Sequence, residues 1–188
     1  MTTPTTPSVS SGRARIALGG GCHWCTEGVF VSLRGVDRVE QGWVSAPPPH
    51  DAFSEAVIVH YDPERISADD LIAVHLETHA ATKDHPLRSR YRSAVYAFSP
   101  EDRQYFTELL AELAADYDEP LVTRVYDFAA FRPSLPEHQD YYRTDPERPF
   151  CRRFISPKLQ ALRRRRPGLM RSAGELSSSN GSPSELKG

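Results

Sequence analysis

Residues 19–25 read GGGCHWC, and they stand between a short apolar run and a segment with helical spacing. The run over residues 14–18 suits a β-strand, and apolar residues in the segment 26–33 recur on one helical face. The glycines allow the tight backbone that a strand-to-helix turn requires. We therefore expect the chain to place Cys22 at the first turn of a helix that follows a strand.

This position favours thiol chemistry. The first turn of a helix has unpaired N–H groups and the positive end of the helix dipole, and both stabilise an anion. Such surroundings lower the pKa of a cysteine from about 8.5 into a range of about 3.5–7.5, so that thiolate is present at neutral pH. Cys22 is therefore the candidate nucleophile, and Cys25 follows it in a Cys-X-X-Cys spacing.

The bulk composition narrows the function classes. The chain has 188 residues, enough for one domain with a real core, and its net charge of −2 argues against a nucleic-acid partner. No apolar run approaches the roughly 20 residues of a membrane span. Three cysteines are too few for a disulfide scaffold and fit a reducing compartment. We expect a cytoplasmic monomer with no membrane partner, no cofactor and no bound metal.

The chain is predicted to comprise a disordered lead over residues 1–12, a folded domain over 13–162 and a disordered Arg/Ser-rich tail over 163–188. Strands and helices alternate in the folded domain, which predicts an α+β two-layer sandwich with helices packed on a mixed, mostly antiparallel sheet. The predicted strands span 13–18, 36–44, 55–61, 91–98 and 122–128. Helices are predicted to follow Cys22 as far as Arg34, over 68–78, from the Ser99 cap to about 117, and from Pro157.

Six segments, in order, resemble the peptide methionine sulfoxide reductase A family. The resemblance spans residues 14–155, and its motifs in this chain are Gly21-Cys22-His23-Trp24-Cys25 with Glu27, Gly35-Val36, Gly42-Trp43, residues 54–63, residues 91–96, and His138-Gln139-Asp140-Tyr141 followed by Pro149-Phe150-Cys151. It implies a ferredoxin-like plait and reduction of methionine S-sulfoxide, free or in proteins, with recycling by thioredoxin or a similar dithiol.

The same chemistry follows from the residue types. A sulfoxide sulfur becomes electrophilic once its oxygen is protonated or hydrogen bonded, so the reaction needs a thiolate, a proton donor and an apolar pocket for the methyl group. Cys22 supplies the thiolate, and Glu55, at the start of an apolar strand, is the candidate acid because burial favours its protonated form. Tyr91 is a further donor to the oxygen, and Trp24 is a candidate wall of the methyl pocket.

Two cysteines are candidates for resolving the resulting sulfenic acid. Cys25 lies near Cys22 at any helix start and needs no loop movement. Cys151 falls in a segment expected to be a mobile loop, at the position that the resemblance gives to a recycling cysteine. The proximity of Cys25 favours it slightly, and both remain open.

Several positions depart from the family pattern. His23 stands where the family has phenylalanine, and Trp43 stands where it has a tyrosine that donates to the sulfoxide oxygen. The loop before Tyr91 is about four residues shorter, so that the family's aspartate there has no counterpart. His23, Trp24 and Trp43 are therefore the predicted substrate-binding residues. Because His23 replaces phenylalanine, the wall of the substrate pocket is predicted to be more polar than in the family.

Three other functions remain possible from the sequence. A thioredoxin-like dithiol–disulfide oxidoreductase would use Cys22 and Cys25, although that class places tryptophan before its first cysteine. A catalytically weak sulfoxide-binding or sensor homologue would keep the fold without turnover. A zinc site is a weaker possibility, since no second Cys-X-X-Cys or suitably spaced histidine pair accompanies the first.

Overall fold

A computed structural model describes residues 13–177 as six strands, six helices and short helical turns. The strands are β1 (Ala14–Gly19), β2 (Val36–Ser45), β3 (Ser54–Tyr61), β4 (Ala94–Ala97), β5 (Arg124–Asp127) and β6 (Ala130–Pro133). They form one sheet in the order β5-β4-β1-β3-β2-β6. Every neighbouring pair is antiparallel except β4 and β5, which run parallel, as the predicted mixed sheet requires.

The helices are α1 (His23–Val31), α2 (Ala68–Thr78), α3 (Pro100–Ala114), α4 (Tyr141–Thr144), α5 (Ser156–Arg165) and α6 (Ala173–Ser177). Local sequence sets two of their starts. Ser67 accepts a hydrogen bond from the Asp70 N–H at 3.1 Å, and Ser99 accepts one from the Asp102 N–H at 3.1 Å. Both serines are therefore N-caps, as their sequence contexts predict. None of the helices within residues 13–177 is long and apolar enough to cross a membrane.

Both faces of the sheet are covered by apolar side chains. The larger core lies between the sheet and the helices α1, α2, α3 and α5, and it includes Ile16, Phe30 and Ile72. A smaller cluster on the opposite face centres on Ile58 and the fully buried Tyr96. The predicted α+β fold with helices on a mixed, mostly antiparallel sheet is confirmed.

Two segments differ from the prediction. Strand β6 was not predicted, because it has only four residues and ends in a proline. It lies at the edge of the sheet and pairs with β2, which is distant in sequence. Residues 163–177 are helical or packed rather than disordered: α5 continues to Arg165, and Met170, only 4% exposed, forms a β-bridge with Leu33. The predictions for residues 1–12 and 178–188 lie outside the described residues.

Candidate active site

Cys22 is the N-cap residue of α1, immediately after the turn that leaves β1. Gly20 in this turn has φ +152°, and a Cβ at this position would lie 2.5 Å from the ring of His79. The turn therefore requires glycine at this position. The thiol of Cys22 is half-buried, so it is neither sealed in the core nor fully exposed.

The two cysteines of the Cys-X-X-Cys motif interact directly. The Cys25 side chain and the backbone N–H groups of Trp24 and Cys25 stabilise the Cys22 thiolate and act to lower the pKa of Cys22. Together these donors outweigh burial and lower the pKa of Cys22 from its ordinary value near 9 to about 7. The pKa of Cys25 moves upward, because its proton is held by Cys22 and its side chain is buried. Cys22 is thus the thiolate and Cys25 its proton-bearing partner.

Glu55 is next to this pair although it comes from β3. Its side chain is only 6% exposed; one carboxylate oxygen accepts a hydrogen bond from the His23 N–H at 3.3 Å, and the other lies 3.3 Å from the guanidinium of Arg90. The Arg90 guanidinium also lies over the Tyr91 ring, 5.2 Å from its centroid. Burial, followed by the charge of Glu55, raises the pKa of Tyr91, which keeps its phenol a donor at neutral pH.

Aromatic rings surround the first turn of α1. Trp24 stacks on Tyr141 with 4.3 Å between ring centroids, and Phe150 meets it edge-on at 5.4 Å. His23 is 5% exposed; its ring meets Trp43 edge-on at 5.1 Å, and its Nδ1 donates to the Gly42 carbonyl at 2.8 Å. Trp43 is the direct cross-strand partner of Glu55. The predicted binding residues His23, Trp24 and Trp43 therefore lie around one cysteine.

A buried carboxylate holds the C-terminal part of this wall in place. Glu27 on α1 accepts hydrogen bonds from the N–H groups of Asp140 and Tyr141, both at 2.9 Å, and from the side-chain amide of Gln41 at 3.0 Å. Ser134 in turn donates to the amide oxygen of Gln41 at 2.7 Å. Burial raises the pKa of Glu27 to about 7 despite these donors. This network fixes Tyr141 where it stacks on Trp24.

Cys151 differs from its expected setting. It begins a π-helical turn over Cys151–Ile155 and is fully buried, so the prediction of a mobile loop is wrong. The turn packs on α1, where a Cβ at Gly28 would lie 2.8 Å from the Ile155 side chain. Burial raises the pKa of Cys151. It therefore lies in the core against α1, whereas Glu55 accepts a hydrogen bond from the residue that follows Cys22.

Sequence reasoning did not identify Arg90 or Gln41 as part of the site. The position of Arg90 directly before Tyr91 was a signal in the sequence. Its contact with Glu55 could not be predicted, because Glu55 belongs to the distant strand β3. The region 13–177 holds no group of three His, Cys, Asp or Glu side chains placed to bind a metal ion.

A helix-capping thiolate, a neighbouring thiol and a buried carboxylate beside it define the class of thiol-dependent oxidoreductases. Comparison with known proteins gives the family. A sequence model of the family described as peptide methionine sulfoxide reductase matches residues 14–168. The chain belongs to this family and catalyses the thiol-dependent reduction of methionine sulfoxide.

Relatives and solved structures agree with this assignment. A peptide methionine sulfoxide reductase MsrA of Thermus thermophilus is 34% identical over 168 residues, which cover 82% of this chain and 96% of that protein. The MsrA of Deinococcus radiodurans is 33% identical over 175 residues, covering 85% and 84%. Family membership leaves the thioredoxin-like alternative without support.

The fold is similar to that of solved methionine sulfoxide reductases. The methionine sulfoxide reductase A of Corynebacterium diphtheriae aligns with a TM-score of 0.63 at 24% identity, covering 77% of this chain and 79% of that one. Mxr1 from Saccharomyces cerevisiae, solved in complex with Trx2, aligns with a TM-score of 0.55 at 20% identity, covering 73% and 91%.

Proposed function

We propose that the protein reduces the S epimer of methionine sulfoxide, with Cys22 as nucleophile and Cys25 as resolving cysteine. The observation that carries this proposal is the position of Cys22 as the N-cap of α1, with Cys25 in the following turn and both residues lining one small cavity. This arrangement lowers the pKa of the attacking thiol and keeps the second thiol close to the sulfur on which it must act.

In the first step the Cys22 thiolate attacks the sulfoxide, and the oxygen passes to Cys22 as its S–O bond to the substrate breaks. The Glu55 carboxylate takes up a proton from water and delivers it to this oxygen, so that thiolate, sulfoxide and proton become a sulfenic acid and a thioether. Tyr91 donates a hydrogen bond to the oxygen, and Trp24 and Trp43 border the substrate's methyl group. The polar His23 ring stands at the same wall.

In the second step Cys25 attacks the Cys22 sulfenic acid, which releases water and forms a disulfide. An external dithiol then reduces this disulfide. Mxr1, which shares the fold, has been solved in complex with Trx2, and this supports a thioredoxin as the reductant. We further propose that the protein acts as a cytoplasmic monomer on free or protein-bound methionine sulfoxide, with no nucleic acid, membrane, cofactor or metal involved.

A turnover assay with each sulfoxide epimer and thioredoxin recycling tests this proposal, with Cys22→Ser as the control. We expect reduction of the S epimer only, abolished in the variant. Equal use of both epimers, or activity that persists in Cys22→Ser, would overturn it. Binding without turnover would instead identify a sulfoxide sensor.

One further variant and one mass-mapping experiment test the remaining roles. Glu55→Gln should slow sulfenic acid formation more than it weakens substrate binding, and an unchanged single-turnover rate would remove Glu55 from the mechanism. Mass mapping after one turnover should find a Cys22–Cys25 bridge. Finding only a Cys22–Cys151 bridge would transfer the resolving role to Cys151, which would require its turn to open because the side chain is fully buried.

A further inference from the structure

A small cavity lies behind the cysteine pair, between the start of α1 and the end of α2. Its volume is about 50 Å³, and its lining residues include Cys22, Cys25, His75, Thr78 and Lys158. One water molecule needs roughly 10–15 Å³ of such volume, so a few water molecules fit. We call it the His75 cavity.

His75 presents an unusual buried acceptor among the residues of this cavity. The residue is 2% exposed, and its Nε2 donates to the Gly19 carbonyl at 2.7 Å. A carbonyl only accepts, so Nε2 carries the ring proton and Nδ1 has a free lone pair. Nδ1 is buried and has no protein partner within residues 13–177. Leaving such an acceptor unpaired is unfavourable, which favours a water molecule bound to it.

The remaining walls can hold such a water. Cys22, Cys25 and Lys158 belong to the lining, and the Lys158 ammonium group donates to the Thr78 carbonyl. A buried water typically makes two to four hydrogen bonds, and the polar groups of these residues together with Nδ1 are enough for that number. Burial, followed by the nearby His79, lowers the pKa of His75, so the ring stays neutral and Nδ1 stays an acceptor.

The geometry of the cysteine pair gives this water a task. In the reduced enzyme the pKa of Cys25 lies above that of Cys22, so Cys25 keeps its proton. To form the S–S bond, Cys25 must turn a lone pair toward Cys22, so its proton has to leave in another direction. Both cysteines line the His75 cavity, which is therefore placed to receive that proton.

We propose that the His75 cavity binds a water molecule that transfers the Cys25 proton during disulfide formation, with His75 as its positioning residue. The inference rests on the resolving role proposed for Cys25. The Cys25–Cys22 S–S bond forms as the S–O bond of the Cys22 sulfenic acid breaks. The Cys25 proton passes through the bound water to the departing hydroxyl group, which leaves as water. Nδ1 accepts a hydrogen bond from the bound water and so orients it.

Two substitutions at His75 separate this role from a structural one. The amide of His75→Gln can reach the Nε2 position and keep the bond to Gly19, but it has no acceptor at the Nδ1 position. His75→Asn does the reverse, since its side-chain oxygen is attached to Cγ as Nδ1 is. The reduced protein is mixed with one equivalent of methionine S-sulfoxide without thioredoxin and quenched with dimedone, and mass spectrometry follows the Cys22 adduct and the disulfide.

We expect both variants to form the sulfenic acid within about twofold of the wild-type rate. His75→Gln should form the disulfide about tenfold more slowly. This reduction in rate is smaller than that expected for removal of a general acid–base catalyst, because a mobile water can still enter the cavity. His75→Asn should stay closer to wild type. An unchanged disulfide rate in His75→Gln, or a slower rate in His75→Asn than in His75→Gln, would overturn the inference.

A measurement without any variant covers the case in which His75→Gln does not fold. A crystal structure of the reduced protein should show a water oxygen within about 3.2 Å of His75 Nδ1, and a dry cavity would refute the proposal. The disulfide formed by the wild-type protein shows whether the resolving role proposed for Cys25 has failed. A Cys22–Cys151 bridge overturns both proposals. A Cys22–Cys25 bridge with an unaffected His75→Gln overturns only the role of the water.

Discussion

The acidity of Cys22 depends first on one neighbouring S–H group, and removing that group has a calculable effect. Cys25→Ala deletes the largest contribution that lowers the pKa of Cys22 to about 7, while the backbone N–H groups of Trp24 and of residue 25 itself remain. The remaining donors then face the opposing effect of burial. We expect the pKa of Cys22 to rise by about one unit or more, equivalent to about 1.4 kcal/mol.

This shift changes the amount of nucleophile at neutral pH. With a pKa of about 7, half of Cys22 is thiolate at pH 7, and at a pKa of about 8 only about a tenth is. Sulfenic acid formation requires the thiolate, so its rate rises as pH increases through the pKa and levels off above it. In Cys25→Ala the midpoint moves upward, and the single-turnover rate at pH 7 falls about fivefold.

Alkylation of Cys22 by iodoacetamide across a pH range of about 5–10, read by peptide mass spectrometry, measures the pKa directly. Cys25→Ser is the matched control, because its hydroxyl group retains a donor at the same position and should keep the midpoint nearer 7. Coincident midpoints for the alanine and serine variants would refute the argument that the hydrogen bond sets the acidity of Cys22.

Three other variants test the surroundings. Glu27→Ala should lower the unfolding free energy in urea by about 2–3 kcal/mol, since one buried and two partly buried donors lose their acceptor, and an unchanged midpoint would contradict this. Tyr91→Phe should reduce kcat/KM about tenfold, the value of one hydrogen bond of about 1.4 kcal/mol, and wild-type kinetics would remove its proposed role. Gly20→Ala should destabilise the protein by about 2–4 kcal/mol in thermal unfolding because its Cβ would lie 2.5 Å from the half-buried imidazole of His79, whereas Gly21→Ala, with nothing within 4 Å, should cost far less.

Elements with strong local signals were predictable from the sequence. Helix α2 begins and ends where predicted because Ser67 caps it and acidic residues fill its first turn. The strand-to-helix turn at Cys22 was equally local, since the glycines and the apolar periodicity lie next to it. The contact between Cys22 and Cys25 follows from their spacing at a helix start.

Features that depend on distant parts of the chain were not predictable. Strand β6 is stabilised by pairing with β2, about 90 residues earlier, and its own composition is not strand-like. The arginine run at 163–166 indicates a solvated tail, yet Arg166 pairs with Glu77 and keeps the following residues folded. The burial of Cys151 depends on how its turn packs against α1, which composition does not specify.

The chain contains only two methionines, the first residue and Met170. Met170 is held against Leu33 with 4% of its surface exposed. Oxidants that damage other proteins therefore find no accessible thioether within residues 13–177 of this one. Within these residues the enzyme therefore offers no exposed methionine to the oxidants that create its substrates.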